Sequence, residues 1–559
     1  MYLGIDVGGT HTDAVVMSGR KIVAAAKALT NPADLLASIG EVLDAVLAEA
    51  PVHKIRHVNL STTLSTNALV QNRVEEVAVV VSAGPGLSPE HFRPNDHYFS
   101  VVGAMDHRGI ETAPLHDAEL KTAAARCREA GLKTAAVVGK FSPRNPGHEE
   151  RMAAAFKDSM DHITLGHRIA GRLNFPRRVA TAYYNAAVWR LYNTFADAAE
   201  ASLRERGITA PVNILKADGG TMPLEASRLM PVESILSGPA ASVMGILALC
   251  DIDHDALIFD VGGTTTDIAV FVSGDVVIER DGVGLAGLAT AVRAIKTLSI
   301  GIGGDSAIGF ENGYCVVGPE RLGPCLAFGG EVPALLDAFN ALEDLRLGDY
   351  QASRRGLEQL AAHASHAEGR SISAGELAQK AVQVAMDKIR LAVEDILMEI
   401  NSRPIYTIRA LLERQSISPG LGYVMGTPAA VFAPHIGRAL GLDITAPKRY
   451  DVANAIGAAL ARTTMEVELF ADTEQGVMLI PSLDIRRAVD LSYRLERARA
   501  DALEAAAGAL ASRGIDPAES PIDILEDASF NMVGARGLLG RNIRVRCQAR
   551  PGLLGIVED

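Results

Sequence analysis

Two stretches of the chain, far apart, share one pattern of apolar and polar positions. In the first, an apolar run at residues 2–5 meets a Gly-rich turn, and a second run follows at 14–17. A tight turn at Ser18-Gly19 then leads to a third run at 22–28. In the second, the runs lie at 256–259, 268–272 and 276–278, with the tight turn at Ser273-Gly274. Each reads as a β-meander: strand, Gly-rich turn, strand, tight turn, strand. Elsewhere strand and helix alternate, as in layered α/β folds. Helical spacing runs over 32–49, 118–130, 185–203 and 377–400, and strand patterns over 58–60, 76–81, 135–138 and 212–215. Residues 84–110 carry Pro85, Pro89 and Pro94 and read as loop. Residues 341–376 are polar and rich in Ala, Arg and Glu. A strand-to-turn-to-helix run at 422–429 and a small-residue helix at 451–460 follow. A helix at 495–512 and a strand at 543–547 lie in the last part.

The two meanders share more than a pattern. Residues 6–13 read DVGGTHTD and residues 260–267 read DVGGTTTD, seven of eight positions alike and 254 residues apart. Repeats of this kind point to two similar lobes. Gly8-Gly9 and Gly262-Gly263 let backbone turn sharply and come close to a ligand. Their N–H groups, with the hydroxyls of Thr10, Thr12, Thr264, Thr265 and Thr266, predict an anion cradle. Asp6 and Asp260 stand at the strand ends beside it. A carboxylate next to phosphate calls for a cation between them, and Mg²⁺ held through waters meets that need. Asp13 and Asp267, in the following strands, are placed to orient the loop or the metal waters. His11 replaces the Thr265 of the second copy, either touching phosphate or lying beside it. One such word alone reads equally as a Gly-Gly hairpin with Asp as turn former; the second copy in the same setting favours the ligand-binding reading.

Composition narrows the classes. Apolar residues make up 48% of the 559, so a large aliphatic core is available and general disorder is excluded. The length corresponds to about three to five domains. A formal net charge of −13 argues against nucleic acid or an anionic membrane as main partner. The apolar stretch 235–250 is broken by Ser237, Gly238, Pro239 and Ser242, too short and interrupted to span a bilayer. The five cysteines form no pair two or three residues apart, so neither a zinc clip nor an iron–sulfur run is predicted. With no targeting segment visible, a cytoplasmic location is expected. No HExxH, Ser-His-Asp order or P-loop occurs.

The paired motifs resemble the actin, Hsp70 and sugar-kinase superfamily and, more narrowly, the hydantoinase A/5-oxoprolinase family. The words that carry the narrower resemblance are STTLSTNAL (61–69), FSPRNPGHE (141–149), Asp218-Gly219-Gly220, SGPA (237–240), the repeat at 260–267, IGIGGDS (300–306) and VGPE (317–320). It implies an α/β protein of two ribonuclease-H-like lobes in the actin-like ATPase fold, with a short α/β C-terminal extension. The expected boundaries are 1–180 for the first lobe with a family insert, 181–460 for the second with a polar, helical insert around 341–400, and 461–559 for the extension. The resemblance implies ATP and Mg²⁺ as cofactors, with Asp6 and Asp260 at the metal and an Asp as general base. Gly301, Gly303 and Gly304 form a third Gly-rich loop, where Asp305 replaces a family glycine and suits a metal or a substrate amine. Gly426 and Thr427 fall where the superfamily contacts adenosine. Thr62, Thr63 and Asn67 either face a substrate or form a capped helix start.

The expected activity is phosphorylation of a small cyclic amide or carbonyl substrate, activating it for ring opening or carboxylation. A second, hydantoinase-B-like subunit is the implied partner. An ATP-driven conformational switch acting on a protein, or a small-molecule kinase, are the competing classes.

Overall fold

The computed structural model describes residues 1–31, 34–279, 281–311, 313–402, 416–512, 515, 520–534 and 537–558. Both halves of the chain build a mixed sheet with one strand order. In the first, strands Tyr2–Val7, His11–Ser18 and Lys21–Leu29 form an antiparallel meander. His57–Thr62 and Val212–Leu215 then extend the sheet in parallel from Tyr2–Val7, and Thr221–Pro223 closes the edge. In the second, Ala256–Val261, Thr266–Val272 and Asp275–Val276 repeat the meander, and Leu421–Met425 and Asp443–Thr445 add the parallel strands. This duplicated order is the two-lobed, ribonuclease-H-like arrangement the repeat implies. The register repeats as well: Asp6 lies opposite Asp13, and Asp260 opposite Asp267.

Apolar faces hold each sheet. Ile39, Val42, Leu43 and Val46 on helix Leu35–Leu47 are buried against Leu3, Ile5 and Val16. Asp34 starts that helix by accepting from Ala37 N at 3.0 Å. The predicted start at residues 32 and 33 lies outside the described residues. On the second sheet, helix Ala374–Asn401 buries Ala381, Ala385, Ile389, Val393 and Ile396, with a Ser373–Glu376 capping box.

Two helices of small residues join the lobes. Ser237–Leu249 packs under the second sheet, and Ala453–Leu460 lies on the first. They cross where glycine is the only fit: a Cβ on Gly457 would stand 2.4 Å from Ala241 O and Gly245 N. Asn59 Nδ2 donates to Ala458 O at 2.8 Å, tying the end of Ala453–Leu460 to the first sheet.

Several expectations change. The first sheet includes Val212–Leu215 and Thr221–Pro223, so the join between lobes falls after Pro223 and not at residue 180. The predicted loop 84–110 contributes strand Tyr98–Ser100, which pairs in parallel with Val77–Ser82 in a separate four-stranded sheet. The polar stretch 341–376 holds helix Tyr350–Glu368, capped by Asp349. The predicted third strand of the second meander shrinks to Asp275–Val276. Strand Thr297–Ile300 pairs further along the same neighbour, and a narrow β-ribbon fills the interval between them. The C-terminal part is a five-stranded antiparallel sheet covered by helix Leu495–Ala511. No helix among the described residues is long and apolar enough to cross a membrane.

Candidate active site

The two Gly-rich turns have the same internal hydrogen bond. Gly8 N donates to His11 O at 3.0 Å, and Gly262 N to Thr265 O at 2.9 Å. Those two N–H groups are therefore consumed inside the turns, contrary to the expected cradle. The N–H groups of Gly9, Thr10, Gly263 and Thr264 make no hydrogen bond among the described residues, and these residues are at least partly exposed. They form the open face of each turn, a set of donors suited to an anion.

Strand alternation sorts the threonines. Thr12 and Thr266, next in the strands, point into the protein and are fully buried. The Thr12 hydroxyl pairs with that of Thr30 at 2.9 Å, and Thr266 Oγ1 donates to Ile302 O at 2.6 Å. Neither hydroxyl is left for a ligand, so both leave the predicted cradle. Thr10, Thr264 and Thr265 remain on its rim.

The third Gly-rich loop packs on the second turn. Gly304 N donates to Gly262 O at 3.0 Å and Asp305 N to Gly263 O at 2.7 Å. A Cβ on Gly303 would stand 2.6 Å from the carbonyl of Gly263, so this close approach requires glycine. Asp305 is not left to a metal or a substrate amine: Arg321 Nη2 pairs with it at 2.9 Å and Cys325 N donates to it at 3.1 Å. Gly301 abuts Pro319. Gly426, at φ +91°, lies against Val261 O and beside Asp260, and Thr427 next to it is exposed.

Thr62 is buried; its Oγ1 accepts from Leu64 N at 3.1 Å and its carbonyl accepts from Ser237 Oγ at 2.8 Å. It holds the start of helix Leu64–Val70 and does not face a substrate. Thr63 and Asn67 are joined at 3.2 Å, and Asn67 stands beside Gly9 on the rim.

Four carboxylates gather at the base of the cleft. Burial pushes all of them upward. Asp260 reaches about 7, with the charges of Asp267 and Asp6 adding to burial and Ser242 opposing. Asp13 reaches about 6, restrained by Lys27, whose Nζ stands 2.9 Å away. Asp6 is raised by burial against Ser61, Asn454 and Lys27, and Asp267 by burial against Ser299. Asp6 acts on Asp260, and Asp305 and Arg321 act on His11, so the two turns stand near each other. His11 itself is lowered, chiefly by burial.

Sequence reading missed the residues that hold these acids. Asn454 Nδ2, on the joining helix Ala453–Leu460, donates to Asp6 Oδ2 at 3.1 Å. Ser242, on the other joining helix, donates to Asp260 Oδ2. Their partners lie far off in sequence, so no local pattern marks them. Lys27 stands opposite Asp13 in the meander only because a bulge between Val16 and Met17 shifts the register. Oδ1 of Asp6 and Oδ1 of Asn454 are buried with no hydrogen-bond partner among the described residues. Two acceptors without donors fit a cation or the waters around one. Among the described residues no three His, Cys, Asp or Glu side chains converge to cage a metal by themselves, so such a cation would rely on water and ligand oxygens.

Two lobes of one strand order, joined by crossing helices and carrying paired Asp-Val-Gly-Gly turns, define the actin-like ATPase fold class. The chain belongs to the hydantoinase/oxoprolinase family: the family's model matches residues 178–467, and its N-terminal region model matches 2–160. The caprolactamase subunit alpha of Pseudomonas jessenii is 26% identical over 61% of this chain and 54% of its own length. The chain thus spans about half of that curated relative. The structure of nucleotide-free acetone carboxylase superposes with a TM-score of 0.75 at 16% identity, over 99% of this chain and 87% of that one. The ATP-dependent caprolactamase from Pseudomonas jessenii does so with a TM-score of 0.68 at 19% identity, over 98% and 87%. Both likenesses bear on the fold.

Proposed function

We propose that this chain binds ATP with Mg²⁺ in the inter-lobe cleft and phosphorylates a small cyclic amide or carbonyl compound, activating it for ring opening or carboxylation. One observation carries the reading: two like Asp-Val-Gly-Gly turns leave outward N–H groups free beside four buried carboxylates, of which Asp260 is raised by Asp267 and Asp6 as well as by burial, and Asp13 by Asp6. A polyphosphate needs the donors, and a divalent cation relieves the acids. The relatives fit this choice, one being named a caprolactamase subunit and one solved structure concerning ATP-dependent acetone carboxylation.

In this reading Gly9, Thr10, Gly263 and Thr264 receive the phosphates. Asp6 and Asp260 order the waters of Mg²⁺, and Asn454 and Ser242 fix the angle of each carboxylate. Bound Mg²⁺ would neutralise charge on the phosphates during transfer. Asp13 and Asp267 set the electrostatics behind the pair, and one of the cleft aspartates takes the proton of the substrate. Rim groups Thr63 and Asn67 position the acceptor. A second subunit of the hydantoinase-B kind would complete the reaction, as the designation "alpha" of the caprolactamase relative fits.

The test is ATP turnover by the purified chain with and without 5-oxoproline, hydantoin or ε-caprolactam. Stimulation by a cyclic amide, dependent on Mg²⁺, is the expected outcome. Turnover indifferent to every such compound but raised by a protein partner would place the chain among ATP-driven switches instead.

A further inference from the structure

A cavity of about 160 Å³ shares no lining residue with the turns at 6–13 and 260–267. It forms where three units meet. The loop after strand Val212–Leu215 supplies Lys216 and Asp218, the β-ribbon of the second lobe supplies Arg293, and the C-terminal sheet supplies Glu466. Four basic and four acidic side chains line it, so it carries no net charge. Between them lie Met222, Met230 and Met465.

The polar groups are not all matched to one another. Asp218 is fully engaged: it pairs with Lys216 at 3.2 Å and accepts from Gly220 N at 3.0 Å and Gln548 Nε2 at 3.4 Å. Arg293 is paired with Glu466, yet its Nε is buried with no hydrogen-bond acceptor among the described residues; Nη2 of Arg172 also lacks one, its nearest carboxylate being Glu466 at 4.0 Å. Glu233 has the opposite need. Its carboxyl lines the cavity and makes no side-chain hydrogen bond among the described residues. Burial raises it against the nearby Lys216. The cavity therefore presents unused donors, an unused carboxyl and an apolar wall, with balanced charge. A buried polar group without a partner is costly, so such groups call for a ligand that pairs with them.

We propose that this cavity binds a small neutral ring amide, such as a lactam, with Glu233 accepting its N–H and the Arg293–Arg172 side donating to its carbonyl. A cis amide in a ring carries N–H and C=O on one edge, which matches a carboxyl beside a guanidinium. The methionines take the ring methylenes, adapting to their shape. A cavity of about 150 Å³ holds one six-membered ring, so a ring of five to seven atoms suits this volume. The inference rests on the cyclic-amide reading of the function and adds a holding site for the ring, apart from the acceptor position beside Thr63 and Asn67.

The experiment is calorimetric titration of the nucleotide-free chain with δ-valerolactam and with N-methyl-δ-valerolactam. The lactam binds, and the methylated ring, which has lost the N–H, binds at least tenfold more weakly. Glu233→Met weakens the lactam at least tenfold, and Glu233→Gln, which keeps an acceptor oxygen, restores most of it. Asp260→Asn, in the cleft, binds the lactam as the native chain does. Equal affinity for the two rings, full binding by Glu233→Met, or loss of binding in Asp260→Asn would overturn the assignment. Lactam binding here without any effect on ATP turnover would defeat the functional reading while leaving this site intact.

Discussion

The two Asp-Val-Gly-Gly turns share a sequence, a strand register and an internal hydrogen bond, but they differ in what stands behind them. In the first lobe Asp13 faces Lys27 across the sheet. In the second lobe the corresponding Asp267 faces Ser299. The first pair of acids thus has a cation built into the fold, and the second has a hydroxyl. Lys27 restrains Asp13, whereas burial of Asp267 is opposed only by Ser299, and Asp267 in turn helps raise Asp260. The third Gly-rich loop deepens the contrast, since it buttresses Gly262-Gly263, while Asn67 stands beside Gly9 of the first turn. Duplication has kept the backbone and separated the roles. The second turn is backed by the third Gly-rich loop and has no lysine opposite its acid.

The largest effect that tests this asymmetry is on turnover. Asp260→Asn and Asp6→Asn are each expected to lower ATP turnover by about 10²-fold or more with the fold retained, since charge positioning dominates phosphoryl transfer. Circular dichroism beside a turnover assay separates the two effects. Full turnover in both variants would remove these acids from the mechanism.

Next in size is a dependence on pH. Asp13 and Asp260 have folded values near 6 and 7, above an unfolded value near 3.8. Between these limits the folded chain binds more protons than the unfolded one, so its stability falls as pH rises from about 4 towards 7. Thermal melts of the Mg²⁺-free chain should show that fall, and Asp260→Asn should flatten it more than Asp13→Asn. An unchanged slope in Asp260→Asn would mean the second lobe is not the more strained.

Lys27→Met sharpens the same comparison from the other side. It removes the cation facing Asp13 and raises that acid further, so the loss of stability should be greater at pH 8 than at pH 5. The cost at pH 8 is about 2 kcal/mol, below the value for a fully buried pair because Lys27 is partly exposed. Ser299→Ala, its counterpart, should cost less. Smallest is Thr12→Val, which forfeits one buried hydroxyl pair for about 1 kcal/mol and leaves nucleotide affinity unchanged.

Much of this was legible along the chain, and its limits have physical causes. The repeat exposed both meanders, the lobes and the acids, because hairpins are local and glycine marks a turn. The small-residue run at 451–460 marked close helix packing. What a strand residue faces was harder to read. Thr12 and Thr266 carry the same side chains as Thr10 and Thr264 but alternate to the buried face. Lys27 comes opposite Asp13 through a bulge between Val16 and Met17 that shifts the register by one; an unbroken hairpin would set it opposite Thr12. Asn454 and Ser242 reach the site from joining helices, a tertiary fact with no local signature. The β-ribbon that carries Arg293 interrupts the second meander with strands of two residues each, too short for periodicity to show.

The most direct measurement is a crystal structure of the chain with a non-hydrolysable ATP analogue and Mg²⁺. Phosphate oxygens should receive N–H groups from Gly9-Thr10 on one side and Gly263-Thr264 on the other, with the ion near Asp6 and Asp260. A nucleotide that touches one turn only, or lies outside the cleft, would contradict the account.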